Sequence, residues 1–146
     1  MMYTVKTEIS FEAAHRLYNV DTYSKECRDN LHGHSYKVEV VVGLDNINPS
    51  GMVIDFKLLK KIIKDSIEDK YDHSCILRKC DPIANTIKEN CNKVILVDES
   101  PTAEWMSKQF YEMIESRINA FSSDLHVVSI GVQETENNIA YYLPEE

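Results

Sequence analysis

The sequence predicts an α+β domain, a four-stranded antiparallel sheet with two helices layered on one face in the order ββααββ. Three observations carry this expectation. Two N-terminal segments alternate apolar and polar residues, two central segments repeat apolar residues at helical spacing, and two strand-like runs close the chain. The 146 residues suffice for one domain with its own core. With only 4 Gly and 4 Pro there is no linker-like stretch, so residues 1–146 are read as a single domain.

In the first segment Tyr3, Val5, Thr7, Ile9, Phe11, Ala13 and His15 share one parity, the mark of a half-buried strand over residues 3–16. Residues 32–43 repeat the pattern, with His32, His34, Tyr36, Val38, Val40 and Val42 on one face. Asn19 to Asn30 is a polar connection too long for a tight turn, and loops of that length often carry function. After the turn residues Asn46 to Gly51, a first helix is expected over about 55–70, its apolar side formed by Phe56, Leu59, Ile62, Ile63 and Ile67. A second, longer helix follows Ser100-Pro101, read as N-cap and first helical position, with Trp105, Met106, Phe110, Met113, Ile114 and Ile118 as its stripe. The closing strands are Leu125 to Glu134 and Ile139 to Leu143, and Val94 to Asp98 reads as a short extra strand.

Charge excludes some function classes. Against 24 acidic residues stand 16 basic ones, a net −8, so a basic face for nucleic acid is not expected. No apolar run approaches the ~18 residues of a membrane span. The start, MMYTVKTEISFEAAH, has no export signal, and the four cysteines include no C-x-x-C pair. Reduced thiols and a cytoplasmic location are therefore expected.

Three of the five histidines, His15, His32 and His34, fall on the inward parity of two strands. Positions i and i+2 of a strand point the same way, and a third imidazole from a neighbouring strand completes a triangle. Each alone reads as a core or surface histidine, but together they form a three-nitrogen set that leaves zinc an open coordination position. Cys27 precedes them in C-R-D-N-L-H-G-H, as a fourth ligand, a base beside the metal, or a plain loop cysteine. Asp72-His73, at the end of the first helix, is either a carboxylate-oriented imidazole or a histidine favoured by the helix terminus. Glu134 shares parity with Val128, Ile130 and Val132, so it needs an Arg partner or a ligand presenting two N–H groups.

Taken together, F-E-A-A-H-R (11–16), C-x4-H-G-H (27–34), D-F (55–56), D-H (72–73), P-T-A-E (101–104) and E-T (134–135) resemble the 6-pyruvoyl-tetrahydropterin synthase family, whose bacterial branch includes 6-carboxy-tetrahydropterin synthase of queuosine biosynthesis. The motifs occur in order across nearly the whole chain. The resemblance implies a tunnelling fold whose subunits join edge to edge into a barrel, commonly a homohexamer of two stacked trimers with active sites between subunits. It implies zinc on His15, His32 and His34, Cys27 as general base aided by Asp72 and His73, Glu134 as anchor of the pterin ring, and Thr102 and Glu104 as further substrate-side residues. The implied substrate is 7,8-dihydroneopterin triphosphate. Carbon–carbon cleavage would give 6-carboxy-tetrahydropterin, acetaldehyde and triphosphate; triphosphate elimination with internal redox would give the 6-pyruvoyl product. A zinc-binding barrel without catalysis is the alternative of another class. Two departures stand out. Four residues separate Cys27 from His32, where carboxy members usually have three and pyruvoyl members five, and Trp105 replaces the Asn of P-T-x-E-N. The carboxy product is the expectation, and Trp105 is read as packing. Zinc, with bases such as Lys25, Arg16 or Arg28, would offset the acidic surface toward a triphosphate.

Overall fold

The computed structural model describes residues 2–145. Strand β1 (Tyr3–His15) and strand β2 (His32–Leu44) form a long antiparallel pair, in unbroken register from Tyr3↔Leu44 to His15↔His32. The inward parity is the predicted one: Phe11, Ala13, His15, Tyr36, Val38, Val40 and Val42 are buried or nearly so, while Glu8, Ser10, Glu12, Ser35 and Lys37 face out.

The sheet is larger than expected. It has six strands in the order β4-β3-β1-β2-β5-β6, where β3 is Ser74–Arg78, β4 Val94–Val97, β5 His126–Thr135 and β6 Asn138–Tyr142. The four strands β1, β2, β5 and β6 are antiparallel as predicted, but β3 runs parallel to β1 and β4 parallel to β3, so the sheet is mixed. Strand β3 is buried along most of its length. A strand covered on both faces has no reason to alternate, and that hid it from a period-two reading. In β5 the expected parity fails at Val128. The β2–β5 register shifts between Val41 and Val42, so Val127 takes the core position and Val128 is the bulged residue.

The polar connection 19–30 holds a short helix, α1 (Lys25–Asp29), capped by Ser24. Helix α2 (Phe56–Ile63) starts at Asp55, whose carboxylate accepts from the amides of Lys57 and Leu58 at 2.8 and 3.1 Å. It continues through a π-helical turn, Lys64–Glu68, into α3 (Asp69–Tyr71). The buried residues Leu59, Ile63, Ile67 and Tyr71 are spaced by four. In an α-helix that series drifts by about 40° per step, and the wider π turn returns Ile67 and Tyr71 to the core. Phe56, expected on the apolar side, is instead exposed in the first turn of the helix, although it lies near the angular position of the buried Ile63.

A small helix α4 (Ala84–Asn90) joins β3 to β4, and the long helix α5 is Ala103–Phe121. Its N-cap is Thr102 rather than Ser100: the Thr102 hydroxyl accepts from the Trp105 amide at 3.1 Å, which leaves Pro101 outside the helix. Trp105 packs half-buried against the core, as read from its place in the stripe. No helix among the described residues is long and apolar enough to cross a membrane.

Helices α2 and α5 cover one sheet face, and an aromatic cluster lies between the layers. Phe11 stacks on Tyr36 at 5.0 Å and meets Phe110 edge-on at 6.0 Å, while Tyr71 meets Phe110 at 5.0 Å. Phe110→Ala would leave a cavity at the centre of this contact. It is expected to lower unfolding free energy by about 3–5 kcal/mol in denaturant titration, against under about 0.5 for an exposed change such as Lys108→Ala.

Candidate metal centre and its surroundings

The hairpin of β1 and β2 sets the three histidines at one end of the sheet. His15 and His32 are direct register partners and His34 is paired with Ala13, one pleat further along. The same parity carries all three rings to the helix-covered face. Ring centroids are 4.7, 4.9 and 5.1 Å apart, each pair near perpendicular, and one nitrogen from each lies within 4.8 Å of the others.

Hydrogen bonds decide which nitrogen each ring offers. The buried His15 donates from Nδ1 to the Pro101 carbonyl at 2.8 Å, and His32 donates from Nδ1 to the Asn30 carbonyl at 2.8 Å. A carbonyl accepts only, so both Nδ1 atoms carry the proton and both Nε2 atoms present lone pairs. Those two Nε2 atoms stand 3.1 Å apart. Facing lone pairs repel unless a cation lies between them, and two nitrogens on a tetrahedral zinc are about 3.3 Å apart. Backbone carbonyls holding the far nitrogen are the usual outer support of metal-binding histidines. The set fits a divalent metal.

The Pro101 carbonyl explains the position of the P-T-A-E motif. Thr102 caps α5, and that cap fixes the turn from which Pro101 reaches His15. The Tyr36 hydroxyl, 3.4 Å from the same Nδ1, closes the rear of the His15 ring. Neither contact was read from the sequence, although Tyr36 shares the parity of His34. Glu104 lies exposed in the first turn of α5, where its charge suits the helix N-terminus.

Glu134 reaches the cluster from β5. Its Oε1 is 3.4 Å from His34 Nε2 and 3.5 Å from His15 Nε2. The β5–β6 register shifts between Gln133 and Thr135, so Glu134 sits at a bulge, a device that re-aims a side chain. The sequence motif placed this carboxylate on an apolar face; the partners it finds there are imidazoles, not an arginine.

Burial pushes the His15 imidazole down from 6.5 to about 4, helped by the neighbouring His32 and His34. His34 is also lowered, by burial first, with Glu134 opposing the shift. Both rings are thus kept neutral at pH 7, the form that binds metal. The sign for stability follows. The unfolded chain takes up the His15 proton near 6.5 and the folded one only near 4. The metal-free protein should therefore lose stability as pH falls from 6.5 to 4, and gain no further stability from His15 above that window. Melting temperature against pH checks this, and a flat profile over that interval would contradict it.

Asp72 and His73 do meet, although neighbours in sequence rarely face each other. His73 has φ +61°, a left-handed conformation uncommon for a non-glycine residue, and this turns its Nδ1 to within 2.9 Å of Asp72 Oδ2. Asp72 Oδ1 accepts from the Glu12 amide at 2.8 Å, which with the His73 ring holds the carboxyl below its ordinary range. His73 is largely exposed and, with Glu12, Ala14, Gly33 and Ser35, lines a cleft of about 360 Å³. His34 of the trio and its register partner Ala13 line the same cleft, so the cleft reaches both parities of the hairpin. Cys27 is exposed on α1. Among the described residues no hydrogen bond joins it to the imidazoles or to the Asp72–His73 pair.

Of the three bases considered for a triphosphate, Arg16 is engaged by Asp81 and by the Asp29 carbonyl, and Arg28 by Asp29. Lys25 has no such partner among the described residues.

Comparison with known proteins agrees with this geometry. The family model described as 6-pyruvoyl tetrahydropterin synthase matches residues 4–145. A protein of Aquifex aeolicus named 6-carboxy-5,6,7,8-tetrahydropterin synthase is 32% identical, over 99% of this chain and 100% of its own. One of the same name from Rickettsia conorii is 33% identical, over 88% of this chain and 91% of its own. Among solved structures, an uncharacterized protein of Wolinella succinogenes superposes with a TM-score of 0.87 at 24% identity, covering 99% of both chains. The Caenorhabditis elegans 6-pyruvoyl tetrahydropterin synthase gives 0.71 at 25% identity, over 99% of this chain and 97% of its own. With the match running from the first strand to the last and the histidine cluster standing where two of its strands meet, this chain belongs to the 6-pyruvoyl tetrahydropterin synthase family.

Proposed function

We propose that this protein is a zinc-dependent lyase that converts 7,8-dihydroneopterin triphosphate to 6-carboxy-5,6,7,8-tetrahydropterin, releasing acetaldehyde and triphosphate, in cytoplasmic queuosine biosynthesis. The observation that carries the reading is the trio His15, His32 and His34 with two lone pairs converging at 3.1 Å and the Glu134 carboxylate beside them. The names of the Aquifex and Rickettsia relatives favour the carboxy product.

His15, His32 and His34 would hold zinc, which when bound would supply Lewis-acid polarisation of the substrate side-chain oxygens. Pro101 and Asn30 hold two of those imidazoles in the metal-binding tautomer. Cys27, as general base, removes a carbon-bound proton of the substrate side chain. Asp72 keeps the His73 ring oriented, so that its outer nitrogen can relay a proton. Glu134 accepts from the N–H edge of the pterin, two donors matching two carboxylate oxygens. His73 shares its cleft with His34 of the trio, and a neighbouring subunit completes the site at that edge. This accords with a barrel built as two stacked trimers.

The released fragment tests the reading. Incubation with 7,8-dihydroneopterin triphosphate should yield acetaldehyde and triphosphate in equal amounts. Triphosphate without acetaldehyde would replace the carboxy product by the pyruvoyl one, and bound zinc with neither fragment would leave a non-catalytic barrel.

A further inference from the structure

Arg16 follows His15 where β1 ends, and its guanidinium makes three ties. Nε donates to Asp81 Oδ2 at 2.7 Å, Nη2 donates to Asp81 Oδ1, and Nη1 donates to the Asp29 carbonyl at 3.0 Å. The Asp81 side chain is wholly buried, and its Oδ1 also accepts from the Ile83 amide at 2.9 Å, in the turn between β3 and α4. A planar fork meeting a carboxylate through two parallel bonds fixes the guanidinium in position as well as charge.

The third bond ends on the last residue of α1, where helix carbonyls lack partners of their own. Little else holds α1. It has five residues, far below the roughly 12–15 at which a helix stands alone, and none of its side chains is buried. The other link to the end of β1 is the Leu17 amide donating to the Cys27 carbonyl at 3.1 Å. With no apolar burial to hold it, α1 takes its place from these polar ties.

We propose that Arg16 is a positioning residue for Cys27: braced on the buried Asp81, it holds α1, and hence the thiol, in a fixed relation to the metal ligand next to it in sequence. The proposal rests on the reading of Cys27 as the base. It also removes Arg16 from the groups that could bind the triphosphate, since its charge and its fork are already used. Lysine could neutralise Asp81 but could not also span to Asp29, so the fork is what the position requires.

Arg16→Lys tests this, with Arg16→Gln/Asp81→Asn as a second variant that leaves no buried charge unpaired should the first fail to fold. Amide hydrogen exchange, metal content, and kcat and KM are read on the zinc-loaded protein. Exchange of residues 24–30 should accelerate about tenfold or more, as losing a charge-assisted hydrogen bond implies, with β1 and β2 unchanged. Zinc should stay at the wild-type ratio while kcat falls at least about tenfold at nearly constant KM. Unchanged exchange at 24–30 in the folded variants would overturn the proposal. So would acceleration shared equally by β1 and β2, or loss of zinc, because Arg16 would then act on the fold or on His15. Full turnover by a Cys27→Ala protein would defeat the base reading separately, since exchange is read without turnover.

Discussion

His32→Ala is expected to abolish stoichiometric zinc binding and turnover while leaving the fold intact. The ring stands at the first position of β2, half-exposed; its hydrogen-bond contacts are the Asn30 carbonyl and the His15 Nε2, and it meets the His34 ring edge-on. Nothing in the core rests on it, so circular dichroism and the melting temperature of the metal-free protein should change little. Metal affinity should fall by more than the about 10–100-fold that outer supports of a metal site typically carry, because a ligand itself is lost. The opposite pattern, full zinc content in the variant, would remove the three-histidine site. His15→Ala is a poorer probe of the same point. That ring is buried and bonded to Pro101, so its loss would disturb packing as well.

Cys27→Ala should give the complementary result: zinc content and stability as in the wild type, with kcat lowered by about 10²–10⁴, the range of a single general base. Stability should hold because Cys27 is exposed and α1 buries no side chain. Zinc content and activity together separate the three readings left open by the sequence. A variant that loses both metal and activity would make Cys27 a fourth ligand, and one that keeps both would make it a plain loop residue.

The sheet centre and the clustering of the three histidines are legible in the sequence for the same physical reason. A strand with one face on the core and one in water must alternate, and His15, His32 and His34 are visible as interruptions of an otherwise apolar parity. The parts that were not legible lack such a constraint. Strand β3 is covered on both faces and shows no alternation. The true cap of α5 is one of two cap-type residues flanking Pro101, Ser100 and Thr102, and the choice goes with the Pro101 carbonyl that faces His15. The Val128 bulge reverses the parity on its N-terminal side only, so Glu134 was placed rightly from a series whose first member was wrong. The Asp72–His73 contact depends on a left-handed φ at His73, a conformation that sequence patterns do not announce for histidine. Arg16 shows the limit most clearly. Its charge suggested a phosphate ligand, but its partner Asp81 lies 65 residues away and no local pattern links them.

The central claim, that a zinc ion on His15, His32 and His34 drives a pterin synthase reaction, is tested most directly by one titration. The purified protein is stripped with a chelator, and turnover of 7,8-dihydroneopterin triphosphate is followed as zinc is returned. The account predicts no turnover without metal and a rise in triphosphate release that saturates at one zinc per histidine trio. Turnover that survives complete removal of metal, or zinc that binds at that ratio without restoring any release, would contradict it.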